Sequence, residues 1–383
     1  MKTIFSKRNI IFSLISIAFL ISIFSPAIGA AGMTIATLPV AGNFDCADLL
    51  VVQGKADQIW LDSQNNQDYV PRADALKVIY EQSKAKLATV QGEQSKDNSL
   101  KISWINSCDI VVEDGSTTEC IVEGEELSAD CKTFTPTIYK SANFKVNEDT
   151  FRTSIFSPEE VIAKGMLKAT KALDEYLAQA IIASLDTFKG VNQYFGDYGT
   201  AQGVQAVGTA ETDIASNLWT ASLLGYFNLA SIKNKLSNPF LLSGTNLAIA
   251  NWNAIAEAAN ADGKGNLNKF QSIPTEFDLF NIDSVLSPDA VTFMLNKGAV
   301  AFAPKWRYSS TPREINGKDW QIRYTVPSRT VAGVMYDVTY TTQCKSGTNQ
   351  IEHLFNITTR GGVYLNPTGC TSANTGILRF NKV

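Results

Sequence analysis

Ser157-Pro158-Glu159-Glu160 opens the longest uninterrupted pattern in the chain, and that pattern limits what the rest can fold into. A serine ahead of the first helical residue accepts a hydrogen bond from the backbone three residues on. Proline is preset for the first helical position, and glutamate at the third completes a capping box. Ile162, Met166, Leu173, Leu177, Ile181, Leu185 and Phe188 then keep one apolar stripe at helical spacing, and Gly190 is placed to end it. About thirty residues at roughly 1.5 Å each give a rod of about 45 Å. The spacing predicts a strut that outlasts any compact core and joins two lobes.

The chain has 383 residues, with 33 Lys+Arg against 37 Asp+Glu and 45% hydrophobic residues. That balance excludes a disordered tail, a collagen-like repeat and a multi-span membrane protein, and the length suits two or three domains. A net charge of −4 lacks the basic stripe of a dedicated nucleic-acid binder, so no sequence-specific nucleic-acid binding is expected. Residues 1–30 have the anatomy of a secretory signal peptide. Lys2, Lys7 and Arg8 precede the apolar run Ile10 to Phe24, and small residues surround Gly29. The run is short for a bilayer span, so the mature chain is expected to hold no stable membrane span. An uncleaved anchor, or an N-terminal extension ahead of a start at Met33, are the alternatives.

Residues 31–93 read as an N-terminal arm with a helix. Met33 to Arg72 shows no sustained period, whereas Leu76, Ile79, Tyr80, Leu87 and Val90 place a helix over Asp74 to Val90. Residues 94–156 read as an extended β excursion, with strands over Leu100 to Val112 and Phe134 to Phe151. Between them Glu113, Asp114, Glu119, Glu123, Glu125 and Glu126 form a solvated acidic face, and no Lys or Arg lies between Lys101 and Lys132. Their spacing fits no calcium loop. Six cysteines suit disulfides in an exported chain, with Cys108, Cys120 and Cys131 as the candidate group; buried free thiols are the alternative. None has Cys-x-x-Cys spacing, which disfavours zinc.

Beyond the strut, Gly196, Gly199, Gly203 and Gly208 match no phosphate-binding loop and read as a linker. Helices are expected over Thr212 to Leu236, over Leu247 to Ala259, and in a short piece capped by Ser287-Pro288-Asp289 that runs through Leu295. Strands are expected at Phe240 to Leu242, Phe277 to Phe280 and Ala299 to Ala303, which makes a mixed α/β layer. The remainder reads as β: Trp320 to Val326, Thr330 to Thr342, Glu352 to Thr358, an Arg360-Gly361-Gly362 turn into Val363 to Asn366, and Ile377 to Phe380. His353, the single histidine, alternates within a strand and reads as structural. Lys305, Arg307, Arg313 and Lys318, interleaved with Trp306, Tyr308 and Trp320, read as a solvated basic loop. The sharper reading of that cluster is contact with nucleic acid or an acidic partner surface. No catalytic, cofactor or metal motif emerges, so no enzyme, cofactor or metal is expected.

The order of parts resembles the major capsid protein of tailed double-stranded-DNA phages, the Hong Kong-type capsid fold shared with encapsulins. Asn238-Pro239-Phe240-Leu241-Leu242-Ser243-Gly244-Thr245-Asn246, Phe277-Asp278 and the Met294 to Phe302 stretch resemble phrases common in that family. The resemblance implies an α+β fold with an N-terminal arm, an extended β E-loop (94–156), and a spine helix and linker of a peripheral domain (157–211). A mixed α/β axial domain (212–304) and a β-rich return (305–383) follow. It further implies a structural subunit without an active site, located in the virion, whose copies self-assemble into hexamers and pentamers of an icosahedral shell around the DNA genome. Scaffolding or portal proteins would be its partners. The excursion would overlap a neighbour, its acids facing Lys164, Lys168 and Lys171 on the strut's polar side. The export signal departs from the family and favours an alternative: an exported, disulfide-containing bacterial envelope protein, a solute-binding or surface-layer component, periplasmic or secreted.

Overall fold

The computed structural model describes residues 44–63, 68–84, 90–91, 100–105, 129–147, 156–192, 210–220, 222–252, 273–286, 291–315, 320–344, 350–366 and 375–383. Helices α1 (Cys46–Ser63) and α2 (Asp74–Lys84) precede β1 (Val90–Gln91), β2 (Leu100–Ile105), β3 (Ala129–Phe134) and β4 (Ile138–Asn147). The long helix α3 (Pro158–Thr187) leads to β5 (Glu211–Ile214), α4 (Ser222–Lys233), β6 (Pro239–Ser243), β7 (Thr275–Phe277) and α5 (Asn281–Val285). Then come β8 (Val291–Asn296), β9 (Val300–Lys305), β10 (Arg313–Ile315), β11 (Gln321–Pro327), β12 (Met335–Cys344), β13 (Ile351–Leu365) and β14 (Ile377–Lys382). The class is mixed α+β.

The strut is continuous over 30 residues and starts where its cap predicts. The Ser157 hydroxyl accepts the Glu160 N–H at 3.3 Å and also a bond from Lys55 of α1 at 3.0 Å. Burial pushes the Glu159 carboxyl up, but the Ser157 hydroxyl, its own backbone N–H and Lys55 together hold it below its ordinary value. The helix ends on Phe188 rather than Gly190, whose N–H instead bonds the Ile377 carbonyl at 2.8 Å. Nor does α3 outlast the core. Thirteen of its side chains are buried, from Ile162 to Leu185, because two sheets and three shorter helices share its length.

Beside α3 lies a six-stranded sheet in the order β10-β11-β12-β13-β4. Arg360 of β13 pairs with Tyr139 of β4 and with Lys305 of β9, so β9 continues the β12 side of β13 end to end. Alternation along the strands sends Tyr336, Val338, Tyr340, Phe355 and Ile357 into the core with α3. Gly165 lets that helix approach closely, since a Cβ there would lie 2.7 Å from the Phe144 ring. The second sheet, β5-β14-β8-β6-β7, is buried on both faces. Phe240, Leu242, Phe293 and Leu295 join the α3 core, while Leu241, Met294, Leu378 and Phe380 pack on α4. A separate three-stranded ribbon, β1-β2-β3, is seated through Ile102 and Phe134 on Ala301, Ala303 and Tyr364.

Several sequence expectations change. The loop-like stretch before Arg72 holds α1, which packs Leu49, Val52 and Ala56 inward; Leu50, Val51 and Leu61 face outward, so apolar residues on both sides blur the helical period. The strand expected over Phe134 to Phe151 is split: β3 ends the ribbon and β4 joins the six-stranded sheet. Glu211 to Ile214 is a strand parallel to β14, not the start of a helix. The helix expected through Leu295 is β8, whose β-branched and aromatic residues suit a strand buried on both faces. Residues 245–252 are helical as expected. The Arg360-Gly361-Gly362 turn is instead the middle of β13. Residues 1–30, the linker glycines 196–208 and the cap at 287–289 lie outside the described residues.

Charged ties fasten the ends of these elements. Asp278, fully buried, accepts the Ala75 N–H in the first turn of α2 at 2.8 Å, where the helix dipole favours an anion, and also holds Asn281. At the other end of α3, Lys189 bridges Asp186 at 2.9 Å and Glu211 at 2.5 Å, Arg379 joins both acids, and Asn381 donates to Glu211. The Lys189 hydrogen bond, against burial, holds Glu211 below its ordinary 4.5; at Asp186 burial pushes upward, but Lys189 and Arg379 prevail. Carboxyls lowered on folding contribute stability that is present above their ordinary values and lost as pH falls through the folded ones. Glu211→Gln should therefore lower the melting temperature at pH 7, with the gap to wild type closing as pH falls below 4.5. A gap that stays constant down to pH 3 would show that the charge of Glu211 contributes nothing.

Candidate functional site

The outer face of the six-stranded sheet carries a cluster of unlike chemistry that the packing leaves accessible. Side chains alternating with the core set point away from α3: Tyr139, Asn143 and Lys145 on β4, Asn356 and Arg360 on β13, Thr339 and Thr341 on β12. With Tyr308, from the loop after β9, they bound a concavity of about 620 Å³. The Arg360 guanidinium lies 4.9 Å from the centre of the Tyr139 ring, and Arg323 lies 5.4 Å from that of Tyr308. Stacking on a ring restricts a guanidinium and leaves its edge for a hydrogen-bond acceptor, which for Arg323 is Gln321 Oε1 at 3.1 and 2.8 Å from Nε and Nη2. Arg360 Nε is buried without a hydrogen-bond partner.

Acids on this face are already engaged. Burial raises Asp337 above its ordinary value, although the backbone N–H groups of Arg307 and Tyr308 bond it at 2.9 and 3.1 Å and Arg360 and Arg307 lie near. Glu352 pairs with Lys145 at 3.3 Å and accepts from Gln343 at 3.0 Å. The basic cluster expected as a loop is divided. Lys305, at the end of a β9 covered on both faces, and Trp306 are buried, whereas Arg307 and Arg313 are exposed. Arg360, which lines the groove, and Arg323, which stacks on its Tyr308, come from strands far apart in sequence. The strand pairing puts both on one sheet.

Of the expected contact residues, Lys164 donates to Glu160 at 2.7 Å and sits over the Phe156 ring; the hydrogen bond to Glu160 raises its pKa. Lys171 reaches the Asp68 carbonyl at 3.3 Å, and Lys168 is exposed. Glu113, Asp114, Glu119, Glu123, Glu125, Glu126, Cys108 and Cys120 lie outside the described residues, as does the side chain of Cys131. His353 is buried, with Tyr340 at 2.8 Å from Nδ1 and Phe44 edge-on to its ring, as the structural reading of a strand histidine requires. Among the described residues no three His, Cys, Asp or Glu side chains gather as a metal site, and no helix is long and apolar enough to cross a membrane.

The solved structures of similar arrangement are phage capsids and related particles. One is the capsid of Ralstonia phage GP4, at 10% identity and a TM-score of 0.44, covering 77% of this chain and 86% of that one. Another is the mature capsid of bacteriophage PhiM1, at 9% identity and 0.43, covering 76% and 84%. A third, the capsid of a native GTA particle, gives 15% identity and 0.39, covering 75% and 86%. No protein-family model and no curated protein sequence matches the chain.

Proposed function

We propose that this chain is a structural subunit of an icosahedral phage capsid, without a catalytic role, whose copies assemble into hexamers and pentamers around the DNA genome. The observation that carries the reading is the pairing of a capped 30-residue helix, packed against two sheets, with a separate three-stranded ribbon. The helix backs two sheets at once, which suits a rigid spine. Among the described residues, Ile102 and Phe134 of the ribbon pack on Ala301, Ala303 and Tyr364. In a shell, neighbouring copies would cover such a ribbon and add to its stability.

In this reading residues 31–93 are the arm and the ribbon is the root of the E-loop. α3 with the six-stranded sheet is the peripheral domain, and the five-stranded sheet with α4 is the axial domain. Scaffolding or portal proteins would guide its assembly. Nothing in the fold favours the envelope-protein alternative. The deciding experiment is to express the full chain and follow it by size-exclusion chromatography and negative-stain microscopy. Rings, sheets or closed shells are expected; a stable monomer under all assembly conditions would end the proposal.

A further inference from the structure

We infer that Phe44, Tyr340 and His353 form an acid-sensitive latch, in which protonation of the chain's single imidazole releases the backbone entering α1 from the six-stranded sheet. The latch is a relay of two hydrogen bonds. The Phe44 N–H donates to the Tyr340 hydroxyl at 3.1 Å, and that hydroxyl oxygen lies 2.8 Å from His353 Nδ1. An oxygen that accepts from Phe44 still has its own proton to place, and Nδ1 is the acceptor within reach, so the relay needs Nδ1 without a proton. Burial pushes the Tyr340 hydroxyl well above its ordinary value, which keeps it a donor. The surroundings are aromatic: Phe44 stands edge-on to both rings, Trp320 is edge-on to Tyr340, and Phe355 stacks against it at 4.9 Å.

An imidazolium turns Nδ1 into a donor. The Tyr340 oxygen then faces two N–H groups, and its own proton is stranded among rings that offer no full acceptor. Relief comes at the half-buried end of the relay, where Phe44 can return its N–H to water. The body of α1 stays in place, because Leu49, Val52 and Ala56 are core and Lys55 is bonded to Ser157. The charge facing the relay is Asp48 of α1, which favours the cation once formed and whose Oδ2 accepts the Asp45 N–H at 3.0 Å. The strand partners are uncharged: Thr342 and Val146 lie beside His353, and Ile322 beside Tyr340. Glu352 points to the opposite face, paired with Lys145. The inference makes no use of the shell reading.

The test uses the full chain and two exchange measurements read by mass spectrometry, so that monomer and assembly are handled alike. Exchange of the imidazole C2 hydrogen follows the titration of His353, and amide exchange at Phe44, corrected for the chemical rate at each pH, follows the latch. Between pH 7.5 and 5, a window that spans the ordinary imidazole value of about 6.5, protection at Phe44 should fall at least tenfold in step with the titration. The amides of α3 should keep theirs. His353→Gln presents a neutral acceptor at every pH and should flatten the profile, whereas Tyr340→Phe should leave Phe44 unprotected throughout. Three results would overturn the inference: constant protection at Phe44 while the imidazole titrates, an imidazole that takes no proton above pH 5, or a fall that survives His353→Gln. Where the glutamine variant does not fold, the wild type decides, since midpoints of the two exchange profiles more than one pH unit apart refute the latch.

Discussion

Asp174→Ala is expected to destabilise the chain by about 3–5 kcal/mol in urea titrations, enough to unfold a marginal protein. Asp174 sits midway along α3, fully buried, and accepts from Ser328 Oγ at 2.7 Å, Thr330 Oγ1 at 2.9 Å, Arg329 N at 3.2 Å and the Tyr336 hydroxyl. These donors all lie in or beside the turn between β11 and β12, so one carboxylate fastens the spine to the sheet. Alanine leaves several buried donors unsatisfied at once, and that penalty outweighs its better helix propensity. Asp174→Asn keeps an acceptor oxygen and should cost about 1–2 kcal/mol.

The same pair has a pH signature. Burial, the larger influence, raises Asp174 above its ordinary 3.8, although Tyr336, Ser328, Thr330 and the Arg329 N–H favour the charged form. A carboxyl raised on folding stabilises most below 3.8, and the contribution is lost as pH rises through the folded value. Just above pH 4, wild type should therefore lose stability with rising pH relative to Asp174→Asn. Parallel stability curves for the two across that window would refute the assignment. Tyr336, pushed far above its ordinary value by burial and then by Asp174, stays a neutral donor throughout.

The long-range knot at Asp174 had no signal in the sequence, where it is one polar residue on an otherwise apolar stripe. What was legible was local. Ser157, Pro158 and Glu160 announce a helix start because capping chemistry acts within four residues, and the start is where they place it. The groove on the outer sheet face was not legible: Tyr139, Thr339 and Arg360 share it only through the β4-β13-β12 pairing. Burial misled in the other direction. Val291, Phe293 and Leu295 sit where an apolar run and a nearby Ser-Pro-Asp suggest a helix, yet a strand covered on both faces reads much the same over six residues. In α1, apolar residues on both sides erased the period that marks a helix.

Gly361 and Gly362 show why the turn reading failed, and they carry the last expected result. Neighbouring glycines between two β-like runs suggest a reversal, but β13 continues through them for 15 residues. Their role is close approach. Gly361 has β4 on one side and β9 on the other, and a Cβ there would lie 2.6 Å from the Ala303 carbonyl oxygen and 3.3 Å from Pro304 Cα. These are backbone atoms that cannot swing aside, so Gly361→Ala must pull β9 away from β13. A cost of about 2–3 kcal/mol is expected despite the entropy that alanine saves in the unfolded chain. Gly54→Ala is the control. Nothing lies within 4 Å of its Cβ, and in the interior of α1 the change should stabilise by up to about 1 kcal/mol. Because β9 carries Ala301 and Ala303, on which Ile102 of the ribbon rests, Gly361→Ala should also speed amide exchange at Ile102 while leaving α3 protected. Equal stability of Gly361→Ala and wild type, with Gly54→Ala gaining as expected, would mean that the two strands do not meet this closely and that the ribbon's seat lies elsewhere.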